Sequence, residues 1–155
     1  MTSHKAEADV PYTAQQMYAL VADVERYPEF LPWCLALRIV DKSLNEAGGT
    51  LTADMLVAYK VFREKFRTKV TLDSAACAID TFYIDGPFRR LENKWRFNDR
   101  PEGGSHVVFE IDFEFSNRLL QATARAVFEK AFLRMSDAFV ARAGVIYGAQ
   151  EAPMV

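Results

Sequence analysis

The chain has 155 residues, half of them hydrophobic, and a formal charge of −2 from 19 basic and 21 acidic side chains. That length is enough for one domain that buries about 70% of the surface its unfolded chain exposes, and the charge balance argues against a general DNA or RNA binder. Cys34 and Cys77 are the only cysteines, no secretory signal precedes the first strand, and no apolar run approaches the roughly 20 residues of a membrane span, so a cytoplasmic setting with two free thiols is expected.

In chain order, Ala6, Ala8 and Val10 alternate with Lys5, Glu7 and Asp9, which predicts a strand over 3–10 ended by Pro11. Thr13 and Gln16 form a capping box that starts a helix over 14–22, with Met17, Leu20 and Val21 on its apolar face. Arg26 to Trp33 then packs three aromatic rings, a leucine and two prolines into eight residues. Such a corner permits only a short helix, because proline removes a donor and clashes with the preceding turn. It either plugs a core or roofs a cavity.

Strands follow, with the inner row of each one apolar. Leu35, Leu37 and Ile39 come first, then Leu51, Ala53, Met55 and Val57, then Phe66, Thr68, Val70 and Leu72. Ile79, Thr81 and Tyr83 precede the Asp85-Gly86-Pro87 turn, and Leu91, Asn93, Trp95 and Phe97 precede Val107, Phe109, Ile111, Phe113 and Phe115. The intervening residues are mostly charged, the pattern of an antiparallel sheet with one wet face. On that face Lys94 and Arg96 are expected to pair with the acids of the last strand.

A final helix of about thirty residues is predicted from Asn117 to Gly148, both suited to capping. Its stripe runs through Leu120, Ala124, Val127, Phe128, Ala131, Met135, Ala138, Phe139, Val145 and Ile146, with Arg125, Glu129, Lys130 and Asp137 directed away. The fold class is therefore α+β: a curved antiparallel sheet of about seven strands wrapped around a long C-terminal helix, with two short helices after the first strand. This is a helix-grip arrangement over residues 1–148, followed by a flexible tail at 149–155.

Catalytic groups are hard to find. His4 and His106 lack partners at metal-ligand spacing, and Cys34 has no histidine beside it. Both Gly-Gly pairs belong to hairpins, which leaves no phosphate-cradling loop. Three features favour a cavity: many large inward residues, alanines at every seventh position of the last helix, and the isolated polar side chains Thr68 and Asn93 on greasy rows. The link Lys60-Val61-Phe62-Arg63 is either a tight turn or a lip that touches a membrane or a partner.

The stretches Val10-Pro11-Tyr12, Asp23 to Cys34 (DVERYPEFLPWC), Asp85 to Phe88, Trp95-Arg96-Phe97 and Phe113-Glu114-Phe115 closely resemble the coenzyme Q-binding proteins of the START-like superfamily, in the polyketide cyclase/dehydrase group. The similarity runs from about Val10 to Gly148 and is nearest to the bacterial form. It implies a carrier or chaperone that holds a polyprenyl quinone (ubiquinone) as ligand, supports respiratory electron transport, performs no turnover and touches the inner membrane or respiratory complexes from the cytoplasm. On that reading Phe30, Leu31 and Trp33 roof the cavity, while Met55, Val57, Phe66, Trp95, Phe109, Val127, Ala131 and Met135 line it. The same family holds a ribosome-association toxin branch that binds the large ribosomal subunit, and more distant relatives are cyclases and aromatases.

Overall fold

A computed structural model describes residues 2–59 and 62–148. Strand β1 (Thr2–Val10) leads into helix α1 (Ala14–Ala22), a 3-10 segment (Val24–Glu29) and then β2 (Cys34–Asn45), β3 (Gly48–Tyr59), β4 (Phe62–Asp73), β5 (Ala78–Asp85), β6 (Phe88–Asp99) and β7 (Ser105–Phe115). Helix α2 (Arg118–Tyr147) follows, capped by the Asn117 side chain, which accepts from the Leu120 amide. The strands form one seven-stranded sheet in the order β1-β7-β6-β5-β4-β3-β2, and every pairing is antiparallel. This is the α+β helix-grip fold. The tail 149–155, with Lys60 and Val61 of the predicted lip, lies outside the described residues.

Local chemistry explains these elements. Thr13 accepts from the Gln16 amide and the Gln16 side chain accepts from the Thr13 amide, which satisfies both orphan donors at the start of α1. Pro28 confines the next segment to six residues of 3-10 helix, as its missing N–H requires. β2 is irregular: its register with β3 slips between Cys34 and Ala36 and again between Ile39 and Asp41. The first slip turns Leu35 outward, 47% exposed, against its expected place on the inner row. Gly104, at φ +73°, has no Cβ to meet the Val10 carbonyl oxygen, which would lie only 2.1 Å away. The β7 hairpin can therefore close against the β1–α1 junction.

Burial runs strictly every second residue along β7. Beneath it, Phe97, Phe109, Phe113, Phe139, Met17 and Val21 are among the most completely buried side chains. The end of α2 is tied to α1 by the Tyr147 hydroxyl, which donates to the Gln16 carbonyl at 2.8 Å. Two expectations for α2 fail. Val145 and Ile146 are 73% and 50% exposed, because the last turn has run past the sheet. Glu129 is half-buried rather than turned away: it sits 3.7 Å from His4 of β1 and is hydrogen-bonded by Arg125 at 2.9 Å.

The outer face carries the charges, in a different pairing from the expected one. Arg96 bonds Asp80 of β5 at 2.7 Å, and Asp112 of β7 takes Arg90 at 2.6 Å. The twist carries each long arginine to a neighbour other than the residue directly opposite. Asp54 holds Arg67 through two hydrogen bonds of 2.7 and 3.0 Å, and this lowers the carboxyl pKa.

Edge strand β1 is clasped to β7 by His106, whose Nδ1 lies 2.7 Å from Asp9 and Nε2 2.8 Å from Glu7. Lys5 and Arg100 are the other charges on these carboxylates, 3.8 Å from Glu7 and 3.7 Å from Asp9. Hydrogen bonds to Asp9 and Glu7 raise the imidazole pKa above its ordinary 6.5, and the bond from His106 holds both carboxyls below their ordinary 4.5 and 3.8. A raised histidine pKa contributes stability that is complete below 6.5 and lost as pH rises through the folded value. Lowered carboxyl pKa values contribute above their ordinary range and fade as pH falls through the folded ones. The clasp is thus strongest between the two ranges. Denaturant melts should show the stability gap between wild type and His106→Gln wider at pH 5.5 than at pH 8.5; an unchanged gap would contradict the clasp.

Candidate functional site

Between the concave face, the proline corner and α2 lies a cavity of about 90 Å³. The 3-10 segment supplies Val24, the corner Tyr27, Leu31 and Trp33, and α2 Met135 and Phe139. The sheet contributes Leu37 from β2, Ala53 and Met55 from β3, and Phe66, Thr68 and Val70 from β4. Ile79 and Thr81 of β5, Leu91, Asn93 and Trp95 of β6, and Ile111 of β7 complete the wall. None of these carries an acid, a base or an imidazole, so the enclosure is a greasy slot with a few neutral polar groups.

Its aromatic ring system is set by the corner. Phe139 stands edge-on to Tyr27 at 5.2 Å, to Phe30 at 5.1 Å and to Trp95 at 5.1 Å, the geometry that ring quadrupoles favour. The Tyr27 hydroxyl donates to the Val21 carbonyl, and burial raises its pKa far above the phenolic range, so it stays neutral. Glu29 accepts from Arg142 at 2.6 Å, and the Arg142 guanidinium lies 5.1 Å over the Phe30 ring. The corner is both roof and bracket: one side faces the cavity and the other grips α2.

Of the residues expected at the site, Leu31, Trp33, Met55, Phe66, Trp95 and Met135 stand together on the cavity wall. Phe30, Val57, Phe109 and Ala131 are not among the lining residues, for distinct reasons. Phe30 turns its ring to Phe139 and Arg142. Val57 pairs with Cys34 at the outer end of β3. Phe109 lies behind Trp95, ring centres 4.6 Å apart. Ala131 is buried, but among the described residues α2 lines the wall through Met135, one turn later, and Phe139. The side chains of Val127 and Phe62 lie outside the described residues, and Arg63 is exposed on the outer face.

Sequence reasoning missed Val24, Tyr27, Leu37, Ala53, Val70, Ile79, Thr81, Leu91, Ile111 and Phe139 as lining residues. All but the first two follow the same alternation or helical stripe that placed the others. What was lacking was the distance of each row from the helix. Cys34 is buried at the end of the corner, and desolvation pushes its thiol pKa up to about 11, which leaves it protonated and inert at neutral pH.

Comparison with known proteins agrees with this architecture. Residues 10–140 match the family described as polyketide cyclase / dehydrase and lipid transport. The chain is 36% identical over 141 residues to the ribosome association toxin RatA of Escherichia coli, covering 91% of this chain and 86% of that protein. It is 30% identical over 147 residues to a mitochondrial coenzyme Q-binding protein COQ10 homolog B of Xenopus laevis, covering 92% of this chain and 58% of that protein. Among solved structures, the 18 kDa protein CC1736 of Caulobacter crescentus is 37% identical, covers 96% of this chain and 100% of its own, and superposes with a TM-score of 0.78. The chain therefore belongs to the polyketide cyclase/dehydrase and lipid transport family.

Proposed function

We propose that this chain, as one START-like domain over residues 1–148, binds the ring of a polyprenyl quinone in the cavity and carries or shelters it without turnover, in support of respiratory electron transport. The observation that carries this reading is the lining: aromatic and aliphatic walls, neutral polar groups and, among the described residues, no ionised side chain. Apolar burial at about 25 cal/mol per Å² drives such a ligand in, and the described lining residues hold no acid–base pair to transform it. Kinship with the coenzyme Q-binding relative supports the choice of ligand. Leu31, Trp33, Met55, Phe66, Trp95 and Met135 would contact the ring.

At about 90 Å³ the closed cavity is well below the roughly 300–1,000 Å³ of common small-molecule sites. Binding therefore requires α2 or the corner to move outward, and the isoprenoid tail extends beyond the slot toward the inner membrane. Among the described residues no helix is long and apolar enough to cross a membrane, so the tail would be met by peripheral contact.

A second reading, association with the large ribosomal subunit, is favoured by the RatA relatives at 36% identity. The test separates the two. Protein purified from quinone-replete cells is extracted with organic solvent and analysed by mass spectrometry, while the lysate is sedimented on a sucrose gradient. Ubiquinone in the extract, and quenching of Trp33 and Trp95 by added quinone, are expected. No quinone and no quenching would sink the first reading, and co-migration with the large subunit would then favour the second.

A further inference from the structure

Resting on the quinone reading, we propose that the cavity is built for the reduced, hydroxyl-bearing ring: Asn93 selects a hydroquinone over the oxidised quinone. Asn93 points inward from β6 and directly opposes Thr81 on β5, while Thr68 on β4 pairs with Tyr83, two residues along β5 from Thr81. The three side chains make a diagonal polar row across the floor of an otherwise greasy slot.

The chemistry of that row is not symmetric. The Asn93 Nδ2 donates to the Glu110 carbonyl at 3.3 Å. A carbonyl oxygen can only accept, so this bond fixes the amide orientation. Asn93 lines the cavity with two groups left over: the second Nδ2 N–H, which can donate to an oxygen of either form of the ring, and Oδ1, which accepts from no donor among the described residues. Oδ1 can only accept. A quinone carbonyl also only accepts, so the oxidised ring leaves Oδ1 unmatched in an apolar enclosure. A hydroquinone hydroxyl donates to Oδ1. The threonine hydroxyls and the indole N–H groups of Trp33 and Trp95 do not reverse this preference, because a phenolic oxygen accepts from them as well as a carbonyl does.

One unmatched buried acceptor corresponds to roughly a tenfold difference in affinity. The measurement is anaerobic calorimetry with a ubiquinone analogue bearing a single isoprene unit, in its oxidised form and after chemical reduction to the hydroquinone. Wild type should bind the hydroquinone roughly tenfold more tightly. Asn93→Leu should bring the ratio close to one, with the hydroquinone losing about tenfold more affinity than the oxidised form. Equal affinities in wild type, a comparison that needs no variant, overturn the inference and leave quinone binding standing. A preference that survives in Asn93→Leu overturns the role of Asn93. If neither form binds, this inference and the quinone reading fall together.

Discussion

Ala53→Leu should abolish ligand uptake while making the free protein more stable. Ala53 is 3% exposed on the inner row of β3 and forms part of the cavity wall. A leucine there projects its branched end into the void. Empty apolar volume costs about 24 cal/mol per Å³, so filling the whole of the 90 Å³ recovers at most about 2 kcal/mol. For a chain of this length each kcal/mol raises Tm by about 2–4 °C. Thermal melts and calorimetric titration with the quinone analogue check both halves. The opposite signs matter, because a variant that loses binding through misfolding would also lose stability. Reduced stability with undiminished binding would mean that the ligand sits elsewhere.

Phe139→Ala should produce the largest loss of stability of any single change considered. Its ring is 1% exposed and meets Tyr27 and Phe30 of the corner and Trp95 of β6, all within 5.2 Å between ring centres. Truncating a fully buried phenylalanine costs about 3–5 kcal/mol, a large share of the roughly 5–15 kcal/mol that holds a domain together. The hole also opens onto the existing cavity and frees the corner from α2, leaving the Arg142–Glu29 bond as a main remaining tie. Urea denaturation monitored by tryptophan fluorescence should show the midpoint falling sharply, with Phe139→Leu recovering more than half of the loss. A cost below about 1 kcal/mol would mean that the corner and helix are not held by this ring, since even ordinary core truncations exceed it.

Much of the fold could be read from residue types alone. Period-two rows such as Val107 to Phe115 define a half-buried strand unambiguously, and the Thr13–Gln16 box and the Asn117 cap fix where helices begin. The position of the cavity was only partly legible. Alternation says which face a residue occupies, but not how far the helix stands from it. That distance separates Trp95, on the wall, from Phe109, packed behind it. The alanine spacing pointed to Ala131, whereas the described α2 side chains on the wall are Met135 and Phe139. Outer-face pairing was misread for a related reason: sheet twist and arginine reach, rather than register alone, decide that Arg96 meets Asp80.

The place of β1 at the sheet edge has a consequence for the order of events during synthesis. Among the described residues its one strand neighbour is β7, so Val10 must wait for Ser105 and Thr2 for Phe113. At about 5–20 residues per second, translation supplies that partner roughly 5–20 s after β1 has left the ribosome. Until then the first strand has no ladder to join, while the hairpins from β2 to β6 can already form from neighbours in the chain. Lys5, Glu7 and Asp9 on one side of β1 discourage it from pairing with other nascent chains in the meantime. The first strand made is thus among the last to be laid into the sheet.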